Sequence, residues 1–119
     1  MVDVIYIDDD DTEVLLFQVA MSARGVQVLS LPNAYPDSLQ RLAEPAYRAA
    51  RVVFFDLMIG TVSGLDLGRS LRQNGDNRPF FLVTAANNPN PALLDQLQIT
   101  FLPKPLDFNE VAALVHSLA

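Results

Sequence analysis

Val52-Val53-Phe54-Phe55-Asp56-Leu57 decides the fold. Four β-branched and aromatic residues run without the alternation of a half-exposed strand and stop at a carboxylate, which is the pattern of a short strand covered on both faces. Working outward, the same kind of run recurs as Val4-Ile5-Tyr6-Ile7 and Val26-Gln27-Val28-Leu29 on one side, and as Phe80-Phe81-Leu82-Val83 and Ile99-Thr100-Phe101-Leu102 on the other. Helical stretches fill the gaps. The first runs from about Asp11 to Ala23, with acids in its first turn and Gly25 as its stop. A weaker one opens at Pro36 and is ended or kinked by Pro45. A third covers Gly64 to Gln73, and a brief fourth opens at Asn90-Pro91 and closes near Gln98. The fifth starts from Asp107, with Glu110 three residues on as a capping box, and aligns Val111, Leu114, Val115 and Leu118 on one face. Strands alternating with helices predict an α/β domain: a doubly wound (βα)5 arrangement with a five-stranded parallel sheet, right-handed crossovers and helices on both faces, occupying residues 1–119 as one unit.

Composition narrows the function. A chain of 119 residues, 50 % apolar and 18 % charged, has material for one core and excludes disorder over its bulk. Fourteen acids against eight basic residues give a net charge of −6, and the bases are scattered singly, so no surface for a phosphate backbone is expected. No apolar run approaches the ~20 residues a bilayer span requires, and no basic stretch precedes a signal-like core, so the expectation is a cytoplasmic protein without a membrane partner. Without cysteine and with one histidine, thiolate chemistry and multi-histidine metal sites are excluded. Carboxylates, hydroxyls and one lysine remain.

In open parallel α/β sheets, ligands bind beyond the carboxyl ends of the strands. There the first run ends in Asp8-Asp9, the third in Asp56, the fourth in Thr84, and the fifth in Pro103-Lys104-Pro105 with the only lysine. Taken singly, each has a bland explanation: a helix-start acid, a turn residue, a solvated loop. Taken together, they bring three carboxylates, a hydroxyl and one ammonium to a single edge. Carboxylates so close raise one another's pKa, and a hard cation such as Mg²⁺, which prefers oxygen ligands, would relieve the excess negative charge. A carboxylate beside such a cation can accept a phosphoryl group while lysine and hydroxyl neutralise the transferring oxygens.

These residues resemble the receiver domains of bacterial two-component response regulators, which have the flavodoxin-like form of the doubly wound sheet. The markers are Asp8-Asp9, Asp56-Leu57, Gly64-Leu65, Thr84-Ala85 and Lys104-Pro105, and the likeness covers essentially the whole chain. It implies a signalling domain that catalyses only its own phosphorylation and dephosphorylation. Asp56 would be the phosphoacceptor, and Asp8, Asp9, Asp56 and the backbone carbonyl of Met58 would hold Mg²⁺. Thr84 and Lys104 would contact the phosphoryl group, and Phe101 would be the aromatic that turns inward as Thr84 moves. The phosphodonor would be a sensor histidine kinase or a histidine phosphotransfer protein, and output would pass to another protein. In the family the donor docks on the first helix, where Leu16, Phe17, Ala20 and Met21 facing inward would leave Val14, Leu15 and Val19 outward or at the margin.

The departures are local. Gly60 stands where proline is usual, and Ser63 replaces a frequent aspartate. Apolar Met58 and Ala86 occupy positions that in the family modulate phosphoryl lifetime, and the resemblance then implies slow self-hydrolysis. After Thr84 the only charges are Asp95, Lys104, Asp107 and Glu110, too few cations for the charge-paired dimer of DNA-binding regulators, so the readout surface falls instead to the last helix, including Ala112, Ala113 and His116. Ile7-Asp8-Asp9-Asp10-Asp11-Thr12 also fits the DxDxT pattern of haloacid-dehalogenase-type phosphatases, in which Asp8 would be the nucleophile and Asp10 the acid/base. That alternative leaves Asp56 without a role.

Overall fold

The computed structural model describes residues 3–87 and 89–118. Its main sheet contains β1 (Val4–Ile7), β2 (Val28–Leu31), β3 (Val52–Asp56), β6 (Phe80–Thr84) and β7 (Ile99–Pro103), all parallel in the order β2-β1-β3-β6-β7. A two-residue antiparallel hairpin, β4 (Met58–Ile59) with β5 (Val62–Ser63), follows β3. The expected doubly wound sheet with five parallel strands is present. Among the described residues no helix is long and apolar enough to cross a membrane.

The helices divide between the two faces because each strand is apolar on both. On one face α1 (Asp11–Ser22) and α6 (Phe108–Ser117) cover Val4, Tyr6, Phe54, Phe81 and Val83, with Phe17, Met21, Val111 and Val115 as the helical contributors. Aromatic rings dominate this layer: Phe17 sits 4.4 Å from Tyr6 and 5.5 Å from Phe54, and Phe54 stacks on Phe81 at 4.9 Å. Burying a ring such as Phe17 contributes about 2–3 kcal/mol. On the other face α4 (Gly64–Gln73) and α5 (Pro91–Leu97) pack Leu67, Leu71 and Leu94 against Ile5, Val53, Phe55 and Leu82. The segment after β2 is broken into α2 (Pro36–Leu39), a 3₁₀ turn (Gln40–Ala43) and α3 (Pro45–Arg48). Pro45 has no N–H to continue a helix, so the helical segment is interrupted there as expected from the sequence; that Pro45 then opens a further short helix was not expected.

Three expectations are corrected in detail. The second strand lies two residues later than Val26–Leu29: Val26 is buried, but its N–H is taken by Met21 O in the turn closing α1, and Gln27 N–H is taken by the Asp3 carboxylate, so pairing with β1 begins at Val28. On α1, Leu16 points outward at 57 % exposure, against the expected inward placement; Val14 lies half-buried at the margin of the aromatic layer, and Leu15 and Val19 are exposed, as expected. On the last helix Ala112 is buried in the core, so of the three residues expected at the readout surface Ala113 and His116 remain exposed.

Two arginines tie down the amino edge of the sheet. Arg72 donates to the carbonyls of Asp76, Arg78, Leu97 and Gln98 and lies 3.7 Å over the Phe80 ring. Arg78 donates to Tyr47 O and Ala50 O and pairs with Asp76 at 2.8 Å.

Candidate functional site

The site forms at the opposite, carboxyl edge. Because β1, β3, β6 and β7 are neighbours in the sheet, Asp8, Asp56, Thr84 and Lys104 emerge side by side although they are far apart in sequence. The crossovers from β1 and β3 leave toward opposite faces, which opens the crevice between their ends.

Asp56 closes β3, and its Oδ1 accepts the N–H of Leu57 at 2.7 Å. Its Oδ2 accepts from Lys104 Nζ at 3.0 Å. The loop behind it is held tightly: Gly64 N–H donates to Leu57 O at 2.6 Å, and a Cβ on Gly64 would stand 2.1 Å from the Asp56 carbonyl oxygen. Only glycine permits the start of α4 to come so close.

Asp8 is 1 % exposed. The Tyr6 hydroxyl, aimed by its packing on Phe17, donates to Asp8 Oδ2 at 3.2 Å, and Asp10 N–H donates to Oδ1 at 3.1 Å. Burial pushes the Asp8 carboxyl up to about 7; the Asp10 N–H opposes this, while the Glu13 and Asp56 carboxylates push it further. Burial likewise raises the Tyr6 phenol above its ordinary range, with Asp8 adding to the effect.

Lys104 rises between two prolines, its backbone N–H bonded to Thr84 O at 2.9 Å. Its ammonium contacts two carboxylates, Glu13 Oε2 at 2.6 Å and Asp56 Oδ2 at 3.0 Å. Burial alone would lower its pKa, but the hydrogen bonds and charges of those carboxylates outweigh that and hold it above its ordinary value. Thr84 is buried, and its hydroxyl accepts Ala86 N–H at 3.1 Å. Phe101 is half-buried against the core beside Leu82, its register partner.

The expected residues are not all gathered equally. Asp8 and Asp56 lie together with Glu13: one carboxylate oxygen from each falls within 4.8 Å of the others. Asp9 is exposed at the rim, facing Gly60, outside that group, and Met58 is 53 % exposed on the hairpin. Sequence reasoning missed Glu13. Its signal was its place one turn ahead of Phe17 and two ahead of Met21, at the site end of the buried stripe of α1. Asp10 belongs to another job: it is exposed, and its side chain caps α1 by accepting from Thr12 N–H and Glu13 N–H. The phosphatase alternative that needs it as an acid/base is therefore not supported.

An all-carboxylate set with a buried acid held near neutrality fits a hard dication such as Mg²⁺, whose charge would favour ionised Asp8.

No protein-family model matches the chain. Among curated relatives, the response regulator MprA of Mycobacterium leprae is 27 % identical over 117 residues, covering 97 % of this chain and 50 % of that protein. MprA of Mycobacterium sp. strain KMS is 29 % identical over 105 residues, covering 86 % of this chain and 40 % of its own length. The chain thus spans about half or less of the curated relatives it matches. A response regulator receiver domain protein from Clostridium thermocellum superposes with a TM-score of 0.82 at 18 % identity, over 99 % of this chain and 94 % of that one. The Vibrio cholerae chemotaxis protein CheY4 does so with a TM-score of 0.83 at 15 % identity, over 100 % and 99 %. The chain is thus similar in sequence, over most of its length, to response regulators and has the fold of receiver domains.

Proposed function

We propose that the chain is a phosphoacceptor domain that takes a phosphoryl group from phosphohistidine onto Asp56 and changes its interaction surface in response. The observation that carries this reading is the Lys104 ammonium 3.0 Å from Asp56, beside buried Asp8, at the carboxyl edge of the sheet. A carboxylate oxygen of Asp56 attacks phosphorus; the P–O bond forms as the donor P–N bond breaks, and the histidine nitrogen keeps the electron pair and takes a proton. Lys104 neutralises charge on the phosphoryl oxygens, and Thr84, once its hydroxyl leaves the Ala86 N–H, supplies a further hydrogen bond. Asp8 and Asp56, with Asp9 and the Met58 carbonyl, are the residues that would hold Mg²⁺, which when bound supplies positive charge to the transferring group. The domain catalyses this step on itself only.

The donor is a sensor histidine kinase or a histidine phosphotransfer protein, docking on the exposed apolar side of α1 that carries Leu15 beside half-buried Val14. Movement of Thr84 and of the half-buried Phe101 transmits the change to a downstream protein. We place the domain in the cytoplasm and read residues 1–119 as one receiver unit.

Intact mass after incubation with Mg²⁺ and acetyl phosphate tests the reading. The wild type should gain one phosphoryl group, and Asp56→Asn should gain none. An adduct that survives Asp56→Asn, or no adduct on the wild type, overturns it.

A further inference from the structure

Lys104 serves more carboxylates than its role at Asp56 requires. The shorter of its two ion pairs, at 2.6 Å, is with Glu13, against 3.0 Å to Asp56. Among the described residues no other cation pairs with either carboxylate. The root of Lys104 is fixed by its N–H bond to Thr84 O and by its flanking prolines, so repositioning belongs to the tip of the side chain. Glu13 is fixed too, since the same helix buries Phe17 one turn on.

We propose that Glu13 is a positioning residue: it holds the Lys104 ammonium in the unphosphorylated site, and an incoming phosphoryl group must draw Lys104 away from it. This rests on the phosphoacceptor reading of Asp56. Phosphorylation turns a singly charged carboxylate into a more negative acyl phosphate whose oxygens stand further out. One ammonium then faces a stronger anion while Glu13, whose carboxylate lies within 4.8 Å of those of Asp56 and Asp8, loses its partner and meets added negative charge. Glu13 therefore opposes both the approach of an anionic donor and the capture of Lys104 by the phosphoryl group. Its removal raises the phosphorylation rate, the opposite of what a merely structural loss would do.

The test uses the metal-free and the Mg²⁺-saturated wild type, Glu13→Gln and Glu13→Asp. With phosphoramidate, the Asp56 P–O bond forms as the donor P–N bond breaks and ammonia leaves with the electron pair and a solvent proton. The rate should rise by about five- to tenfold in Glu13→Gln, the scale of one partly exposed, solvent-screened ion pair, and Glu13→Asp, which keeps the charge on a shorter arm, should fall between. Lys104 is the only lysine, so the metal-free protein gives one side-chain ammonium resonance. That resonance should shift and exchange faster with water in Glu13→Gln, without any phosphorylation. An unchanged or slower rate in Glu13→Gln overturns the role of Glu13, as does a faster rate with an unchanged ammonium resonance. A wild type that forms no Asp56 adduct overturns the phosphoacceptor reading itself, and the Glu13 proposal with it.

Discussion

Replacing Asp8 by asparagine removes a charge that the fold resists. Asp8 is 1 % exposed and its pKa is pushed up to about 7, chiefly by burial; in the unfolded chain it returns to about 3.9. A rise of about three units at about 1.4 kcal/mol each makes the ionised form about 4 kcal/mol more costly in the folded than in the unfolded state above pH 7. Because the folded value is the raised one, the stability Asp8 contributes is fully present below pH 4 and is lost as pH climbs through 7. Asparagine does not titrate, keeps an acceptor for the Asp10 N–H and offers donors toward Glu13 and Asp56. The advantage of Asp8→Asn should therefore be about 3 kcal/mol larger at pH 8 than at pH 4.5, equivalent to roughly 10 °C in Tm for a chain of this size. Thermal unfolding followed by circular dichroism in EDTA, both proteins at both pH values, measures this directly. Excess Mg²⁺ at pH 8 should narrow the gap by compensating the Asp8 charge in the wild type. An equal advantage at the two pH values, or a variant less stable at pH 8, would refute the reasoning.

Two further outcomes are expected. Gly64→Ala places a Cβ 2.1 Å from the Asp56 carbonyl, so despite a gain of about 1 kcal/mol in helix propensity it should cost about 2–4 kcal/mol net in a urea titration; a stabilised variant contradicts the packing described. Leu15, 61 % exposed, should accept aspartate with little change in stability, while transfer from a phosphohistidine protein slows at least tenfold (about 1.4 kcal/mol) and phosphorylation by acetyl phosphate stays at the wild-type rate. Equal slowing with both donors removes α1 as the docking face.

The strands were legible because continuous apolar runs have few alternatives, and the stops after Ile7, Phe55 and Val83 marked where polar groups gather. The core extent of helices was legible from their caps: Gly64–Gln73 falls where the sequence put it. What escaped were features with no period. The hairpin at Met58–Ser63 has strands of two residues, too short to alternate, and depends on the positive φ of Gly60, +62°. Leu16 turned outward against expectation because α1 is apolar on more than one face, so hydrophobicity alone does not choose its inward side. Glu13 escaped for a related reason: among six acids in the first thirteen residues, a carboxylate on the buried stripe looks like one more first-turn acid until the helix is seated.

The arginines that bind the amino edge do so without drawing on the chain's single amine-bearing side chain. Arg72 and Arg78 between them satisfy six backbone carbonyls, a task suited to a planar guanidinium with five donors in a fixed fork. Scaffold and site therefore draw on different functional groups. A reagent that acylates amines has one side-chain target in the whole molecule, Lys104, and modifying it strips the site of its ammonium while leaving the guanidinium clasp chemically untouched.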